Sequence, residues 1–164
     1  MPAFYPIVGE SPKILILGSM PGQRSLEESR YYAHPQNAFW WIMTKILNVP
    51  ETLGYEEKCE CLRSADFALW DVLYDCQRPG SLDSNIARAS EQPNNFVDFF
   101  ENYNQINLIA FNGGAAMKIF IRHCSEAVLS NSKIKCVQLP SSSAAHASMT
   151  RDEKLKIWQE KLSI

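Results

Sequence analysis

Four short apolar segments, each followed by a stretch with helical spacing, restrict the fold of this chain more than any other feature. They are residues 13–18, 67–73, 106–111 and 134–139. The first of them is a continuous apolar run ended by glycine, which is typical of a strand that is buried on both faces, as in parallel sheets. Strands that alternate with helices form parallel β-α-β units. We therefore predict an α/β fold: a three-layer α/β/α sandwich around a short parallel sheet of about four strands.

The helices are predicted from apolar periodicity and from capping residues. Helical spacing of apolar residues occurs over 37–47, 115–123 and 150–162. Asn94 or Asn95 can cap a further helix that runs to about residue 103. Thr150, with Glu153 three residues later, matches a capping box. Because 164 residues suffice for one hydrophobic core, we expect residues 1–164 to form a single domain.

The cysteines indicate neither a disulfide framework nor a metal centre. There are five of them, an odd number, with irregular spacing. Cys59 and Cys61 are separated by one residue and could bind a soft metal, but no second pair lies at a matching distance. Thiols of a reducing cytosol are the better interpretation. We therefore expect no metal and no cofactor.

Charge and hydropathy restrict the partners and the location. The formal net charge is −2, so no global field attracts DNA, and nucleic-acid binding would have to rest on a local patch or on backbone amides. The amino-terminal segment has neither a basic leader nor a long apolar core, and no run approaches transmembrane length. We expect a cytoplasmic protein, associated with the nucleoid if bacterial, that is monomeric and has no membrane partner.

Polar segments directly follow three of the predicted strands. They are 18–22 with 32–40, then 111–114, and finally 139–147. Open α/β sheets bind ligands at the carboxyl ends of their strands, so these segments can form one site. They offer amides, hydroxyls, an aromatic ring and backbone N–H groups, but no carboxylate pair and no Cys-His dyad with obvious spacing. Such a site suits a neutral, planar, polar substrate on a phosphate backbone.

Each candidate side chain also has a structural interpretation. Asn37 lies at a helix start, where it could be an N-cap or could hold a water with its carbonyl. Asn112 could be a turn residue, or its adjacent donor and acceptor could bind the edge of a nucleobase. Tyr32 could stack on a base or fill space. Residues 141–143 could be a polar loop or a phosphate clamp. His34 could be catalytic or could bond the backbone.

Taken together, the segments resemble the uracil-DNA glycosylase superfamily over most of the chain. G-S-M-P-G at 18–22 is similar to the first motif of that superfamily, and Y-A-H-P-Q-N-A-F-W at 32–40 is similar to the segment that follows it. F-N-G at 111–113 is similar to the base-binding strand end, and L-P-S-S-S-A at 139–144 to the last motif. Four matches in the same order are more specific than any one of them.

The departures from the family pattern point to one branch. Mismatch-specific uracil and thymine glycosylases have an asparagine at the position that Met20 occupies in this chain, and that asparagine positions the attacking water. The thymine enzymes have an arginine at the position of Ala145. A chain that lacks the first asparagine but has Asn37 in N-x-F-W resembles the hypoxanthine-DNA glycosylase branch. The resemblance implies that Asn37 positions the water. It places base contacts at Gly18, Ser19, Met20, Pro21, Gly22, Tyr32 and Asn112. It places phosphate contacts and the wedge that enters the duplex at Ser141, Ser142, Ser143, Ala144, Ala145 and His146.

The implied activity is a DNA repair glycosylase that acts on double-stranded DNA containing a deaminated base, with hypoxanthine (deoxyinosine) as the expected substrate. The enzyme would flip the nucleotide out of the helix and hydrolyse the N-glycosidic bond with water. No lysine nucleophile falls in a motif, so strand cleavage is not expected. Two alternatives stay open. One is a mismatch-specific uracil/thymine DNA glycosylase, and the other is a non-catalytic module that binds lesions or nucleotides.

Overall fold

The computed structural model describes residues 4–129 and 133–162, and it contains a parallel sheet with helices on both faces. In chain order the elements are β1 (Ile14–Gly18), α1 (Gln23–Glu28), α2 (Phe39–Leu47), α3 (Tyr55–Ser64), β2 (Phe67–Asp71), β3 (Leu73–Gln77), β4 (Ala87–Pro93), α4 (Phe96–Asn102), β5 (Leu108–Asn112), α5 (Gly114–Cys124), α6 (Glu126–Leu129), β6 (Lys135–Leu139) and α7 (Arg151–Leu162). The four parallel strands lie in the order β2-β1-β5-β6. The predicted fold class is confirmed.

The core consists of two apolar layers, one on each face of the sheet. Leu15 and Leu17 of β1 point into a layer that α4, α5 and α6 cover. Ile16, between them, points to the opposite face, where α2, α3 and α7 pack. This alternation follows from the pleat of a strand, and burial on both faces explains why β1 has no polar side chain.

The ends of the helices agree closely with the capping residues in the sequence. Asn95 Oδ1 accepts a hydrogen bond from Asp98 N at 3.1 Å, which caps α4. Thr150 Oγ1 accepts one from Glu153 N at 3.2 Å, which caps α7. The helix predicted to start at Asn37 begins two residues later, at Phe39, because Asn37 and Ala38 form the turn that leads into it.

The main difference from the predicted elements is an antiparallel pair, β3 and β4, that lies outside the main sheet. The predicted strand 67–73 ends at Asp71, and the chain then turns into β3. Val72 N donates to Gly18 O at 2.8 Å, and Leu73 N donates to Ser19 O at 3.0 Å. These bonds hold the start of the pair against the end of β1. The loop between β3 and β4 is therefore placed at the carboxyl edge of the main sheet.

Candidate active site

A cleft of about 530 Å³ opens at the carboxyl edge of the parallel sheet. Its volume lies within the range of pockets that bind small molecules or single bases. Every site residue named from the sequence lines it: Gly18, Ser19, Met20, Pro21, Gly22, Tyr32, Asn37, Asn112, Ser141, Ser142, Ser143, Ala144, Ala145 and His146. Three segments that are far apart in the sequence therefore meet, as the strand-end argument requires.

Tyr32 is fixed at the back of the cleft by its unusual backbone and by its ring contacts. Its φ is 54°, in the left-handed region that non-glycine residues seldom adopt. Ser25 Oγ accepts a hydrogen bond from Ala33 N at 3.1 Å and so holds the following residue. The ring stacks on Phe39 of α2, with 4.2 Å between centroids and 29° between planes. One face of Tyr32 is thus occupied, and only the other face can receive a base.

Asn112 is buried at the end of β5 and connects two walls of the cleft. Its Nδ2 donates to Tyr32 Oη at 3.1 Å and to Ser142 Oγ at 2.8 Å. Its Oδ1 accepts from Ser142 N at 2.8 Å. Both donors of the amide are therefore in use. Asn112 can donate to a base only by exchanging one of these bonds, whereas its Oδ1 has a second acceptor position. Its role in base recognition stays a prediction.

The turn after β1 is held by the loop between β3 and β4. Ser19 Oγ donates to Asp83 Oδ1 at 2.6 Å. The guanidinium of Arg78 pairs with the same carboxylate and also donates to the backbone carbonyls of Met20 and Pro21. Because these two carbonyl groups are bound by Arg78, the backbone of the turn has a fixed orientation. No motif in the sequence indicated this support.

Gly18 is the position where the cleft tolerates no side chain. A Cβ atom there would lie 2.6 Å from Asp71 Oδ1 and 2.9 Å from Tyr32 Oη. Both distances are well below ordinary contact. The missing side chain therefore creates the space in which the end of β2 and the Tyr32 hydroxyl approach each other.

Asn37 combines the two interpretations that the sequence left open. Its Oδ1 accepts a hydrogen bond from Phe39 N at 2.9 Å, which satisfies a free N–H at the start of α2. The side chain also lines the cleft and is only partly buried. A carbonyl oxygen accepts two hydrogen bonds, so a water can occupy the second position. His34 Nδ1 accepts from Gln36 N at 3.1 Å, which agrees with its structural interpretation.

The loop at 141–146 is fixed from behind. Trp158 Nε1 donates to Pro140 O at 2.9 Å, and Lys154 Nζ donates to Ser143 O at 3.2 Å, both from α7. Ser142 is 1 % exposed, so its hydroxyl serves Asn112 rather than facing solvent. Ala144 and Ala145 form the exposed tip.

His146 is partly buried beside this tip. Its Nε2 is buried and has no hydrogen-bond partner among the described residues. A histidine that is simply exposed in a loop would leave both ring nitrogens accessible to water, whereas here Nε2 is shielded from solvent. The wedge role itself stays a prediction.

The cleft is not strongly basic. Among the described residues that line the cleft, Arg24 is the only Lys or Arg, and its Nη2 forms an ion pair with Glu28 Oε1 at 3.5 Å. Within the described ranges, no group of three or more His, Cys, Asp or Glu side chains is placed to hold a metal ion. No helix over the same ranges is long and apolar enough to cross a membrane.

Fold and cleft together define an α/β protein with a polar cleft at the carboxyl ends of a parallel sheet. A family model described as the uracil DNA glycosylase superfamily matches residues 6–162. The chain therefore belongs to the uracil DNA glycosylase superfamily. Its activity class is that of a DNA glycosylase, a hydrolase acting on N-glycosidic bonds.

Relatives from two Methanosarcina species support this membership. The chain is 34% identical over 111 residues to hypoxanthine DNA glycosylase of Methanosarcina barkeri, covering 67% of this chain and 69% of that protein. It is 32% identical over 152 residues to hypoxanthine DNA glycosylase of Methanosarcina acetivorans, covering 92% and 91%. The solution NMR structure of a candidate uracil DNA glycosylase from Methanosarcina acetivorans matches with a TM-score of 0.78, 31% identity and coverage of 97% and 96%.

Proposed function

We propose that this glycosylase removes hypoxanthine, the deaminated form of adenine, from double-stranded DNA. The observation that carries the proposal is the cleft, because it collects every residue that the family resemblance assigned to this activity. The two relatives named hypoxanthine DNA glycosylase support the substrate. The unpaired state of the cysteines is compatible with the cytoplasm, which we retain as the proposed location.

In the proposed complex the damaged nucleotide is rotated out of the duplex into the cleft. Unstacking costs a few kcal/mol and less for a mispaired base, which favours lesions over normal pairs. The free face of Tyr32 receives the base, and backbone N–H groups of residues 18–22 meet its polar edge. A hydrogen-bond donor that is held in place for charge developing on the departing base contributes about 2.7–4 kcal/mol in known enzymes.

Asn37 holds the attacking water in this proposal. A neutral amide is not a strong base, but the transition state has oxocarbenium character and requires chiefly an oriented nucleophile. Among the described residues that line the cleft there is no lysine, so a Schiff base with C1′ has no local nucleophile. The products are therefore the free base and an intact strand with an abasic site.

Single-turnover assays on duplex oligonucleotides test the substrate. Each oligonucleotide carries one hypoxanthine, uracil, xanthine or mispaired thymine. We expect the fastest release for hypoxanthine, with strand breaks only after alkaline treatment. Faster release of uracil would favour a mismatch-specific uracil enzyme. Binding of lesion DNA without release of any base would favour a non-catalytic module.

Variants of Asn37 separate its two contacts. Asn37→Ala removes the cap and the water ligand, whereas Asn37→Ser restores a capping oxygen on a shorter side chain. We expect the alanine variant to lose most of the rate with lesion binding changed only a few-fold, and the serine variant to recover stability but not rate. Recovery of both by serine would limit Asn37 to capping. Asn104→Ala, in the exposed loop before β5, is the matched control.

A variant of Asn112 tests base recognition. Asn112→Asp keeps an oxygen for Ser142 N but removes the two donor bonds to Tyr32 and Ser142. If the Asn112 amide exchanges one of these bonds for a bond to the base, the rates on hypoxanthine and uracil should fall unequally. A base whose edge does not match the side chain leaves a buried polar group unpaired, which costs about 1–3 kcal/mol. Equal losses on both substrates would assign Asn112 to positioning alone.

A further inference from the structure

Asp71 is a cleft residue to which neither the sequence motifs nor the proposed water attack gives a role. It is the last residue of β2 and pairs with Gly18 in the neighbouring strand β1. Two residues earlier, Leu69, Ile16 and Ala110 all point into the same apolar layer. Because side chains alternate along a strand, Asp71, Gly18 and Asn112 point to that same face. The carboxyl end of the sheet therefore presents a carboxyl group, a gap and an amide in a row.

The side chain of Asp71 is buried, and one of its two oxygens has no hydrogen-bond partner among the described residues. The residue is 3 % exposed, and its Oδ2 is fully buried without a partner in the described part of the chain. Two neighbouring polar groups of the cleft are bonded: Asn112 uses both donors, and Asp83 pairs with Ser19 and Arg78. A buried carboxyl group without a partner is unfavourable in the free protein. A ligand that supplies the partner would remove this cost on binding.

The surroundings of Asp71 favour its neutral, protonated form. Burial raises the pKa of Asp71 to about 7, repulsion by the Asp83 carboxylate adds to this rise, and the Arg78 guanidinium opposes it. The Tyr31 and Tyr32 hydroxyls also face the carboxyl group. Burial raises the pKa of both above the usual value for tyrosine, so neither supplies a charge at neutral pH.

We propose that Asp71 is a further catalytic residue of this enzyme: its carboxylic acid faces the flipped base and delivers a proton to N7 of the departing purine. The proposal rests on the proposed function, since it requires a purine in the cleft. The Hoogsteen edge of hypoxanthine, like that of guanine, presents N7 and O6 as acceptors, and a protonated carboxyl group is a donor. A pyrimidine has no N7.

The step is balanced with the water held by Asn37. The C1′–N9 bond breaks and its electron pair moves into the purine ring. The proton of Asp71 passes to N7, so the base leaves as neutral hypoxanthine. The water oxygen bonds to C1′ and releases one proton, which returns the Asp71 carboxylate to its acid form through solvent. No additional reactant is consumed.

The expected pH dependence follows from the direction of proton transfer. The acid form of Asp71 is the active one, so the rate is highest below the pKa and falls as pH rises through it. In the wild type, single-turnover release of hypoxanthine should be constant near pH 6 and should fall about tenfold per unit above pH 8. Besides Arg24, Tyr31 and Tyr32, the other titratable side chains among the described residues that line the cleft are Asp83, His34 and His146. A wild-type profile cannot separate them from Asp71, but a variant can.

The test compares Asp71→Asn with Asp66→Asn, a change at the exposed residue that directly precedes the same strand. Asparagine keeps the shape and a donor but cannot deliver a proton. We expect Asp71→Asn to lose about 10²–10⁴-fold in rate at pH 6 on hypoxanthine, to show no fall between pH 6 and 9, and to lose less on uracil. Asp66→Asn should behave as the wild type. Urea unfolding verifies that both variants are folded.

Two results would overturn the proposal. One is a folded Asp71→Asn enzyme with the rate and pH profile of the wild type. The other is an equal loss on hypoxanthine and uracil, which would show a merely structural role. If the wild type releases no hypoxanthine, the proposed function fails, and carbon-13 NMR of the Asp71 carboxyl group decides the contact separately. Adding duplex with a slowly hydrolysed 2′-fluoro hypoxanthine nucleotide should shift this signal, and an unmoved signal would refute the contact.

Discussion

Replacing Gly18 by alanine tests the geometry of the cleft most directly. The new Cβ would lie 2.6 Å from Asp71 Oδ1 and 2.9 Å from Tyr32 Oη, so both groups must move by several tenths of an ångström or more. The Tyr32 hydroxyl is bonded to Asn112, which is itself bonded to Ser142. The displacement therefore passes to two walls of the cleft.

The expected magnitude follows from these contacts. Overpacking of a buried site costs about 1–3 kcal/mol in the free energy of unfolding. With a urea m-value of about 2 kcal/mol/M, a loss of about 2 kcal/mol lowers the unfolding midpoint by about 1 M. A misplacement of about 1 Å at a reacting group can lower the rate by about 10²-fold. We therefore expect both a lower midpoint and a single-turnover rate that is at least about 10²-fold slower.

Gly54→Ala is the control for this substitution. Gly54 precedes α3 with a φ of −67°, which any residue can adopt, and an added Cβ would meet its nearest neighbour, Glu57 Oε1, at 3.4 Å. Its cost should stay below about 1 kcal/mol, the typical effect of changing a helix cap, with an unchanged rate. A Gly18→Ala enzyme as stable and as fast as the control would refute the crowding that we describe around Gly18.

The sheet and the location of the cleft could be predicted because they depend on features that are local in the sequence. A buried apolar run such as Ile14–Gly18 has few options other than a central strand. Once the strands are parallel, their carboxyl ends share one edge, which brings Asn112 and the loop at 141–146 to the turn after β1. No knowledge of side-chain packing is needed for this step.

The pair formed by β3 and β4 could not be predicted in the same way. Its strands are rich in polar residues, and most side chains of Ala87–Pro93 are exposed, so no alternation of apolar and polar residues marks them. The pairing register shifts twice, at residues 73–75 and 75–77. Such strands depend on contacts with the rest of the molecule rather than on their own pattern.

Asp71 shows a different limit of sequence reasoning. A single aspartate near the end of a strand is commonly a turn residue, and its apolar neighbours do not indicate that it lines a cleft with an oxygen left unpartnered. The Asp71 carboxyl group is separated from Asn112 because β1 lies between β2 and β5 and because Gly18 of β1, which is 53 positions earlier in the sequence, has no side chain. The bonds of Asn112 to Ser142 likewise join residues 30 positions apart. Both features require the strand order, which the apolar pattern does not specify.

Three further predictions concern stability and DNA binding. Burial alone would raise the pKa of Glu91, but hydrogen bonds from Arg122 and His123 lower it. Glu91→Gln should therefore lower the free energy of unfolding by about 1–3 kcal/mol at pH 7, and the difference should shrink as the pH falls and the carboxylate is protonated. Urea unfolding that shows no difference at pH 7 would mean that these contacts do not stabilise the fold. Each phosphate that a cation neutralises contributes about 0.9 to the slope of log affinity against log salt. Because the cleft has few cations, we expect a shallow slope for duplex DNA in binding titrations at several salt concentrations. A steep slope would reveal a basic surface elsewhere on the protein. His146→Ala should reduce the amplitude of base-flipping fluorescence, because the imidazole beside the exposed tip would enter the gap left by the nucleotide. Leu82→Ala changes an exposed apolar residue that also lines the cleft, in the loop between β3 and β4. If only this variant reduced the fluorescence amplitude, the wedge would lie on that loop instead.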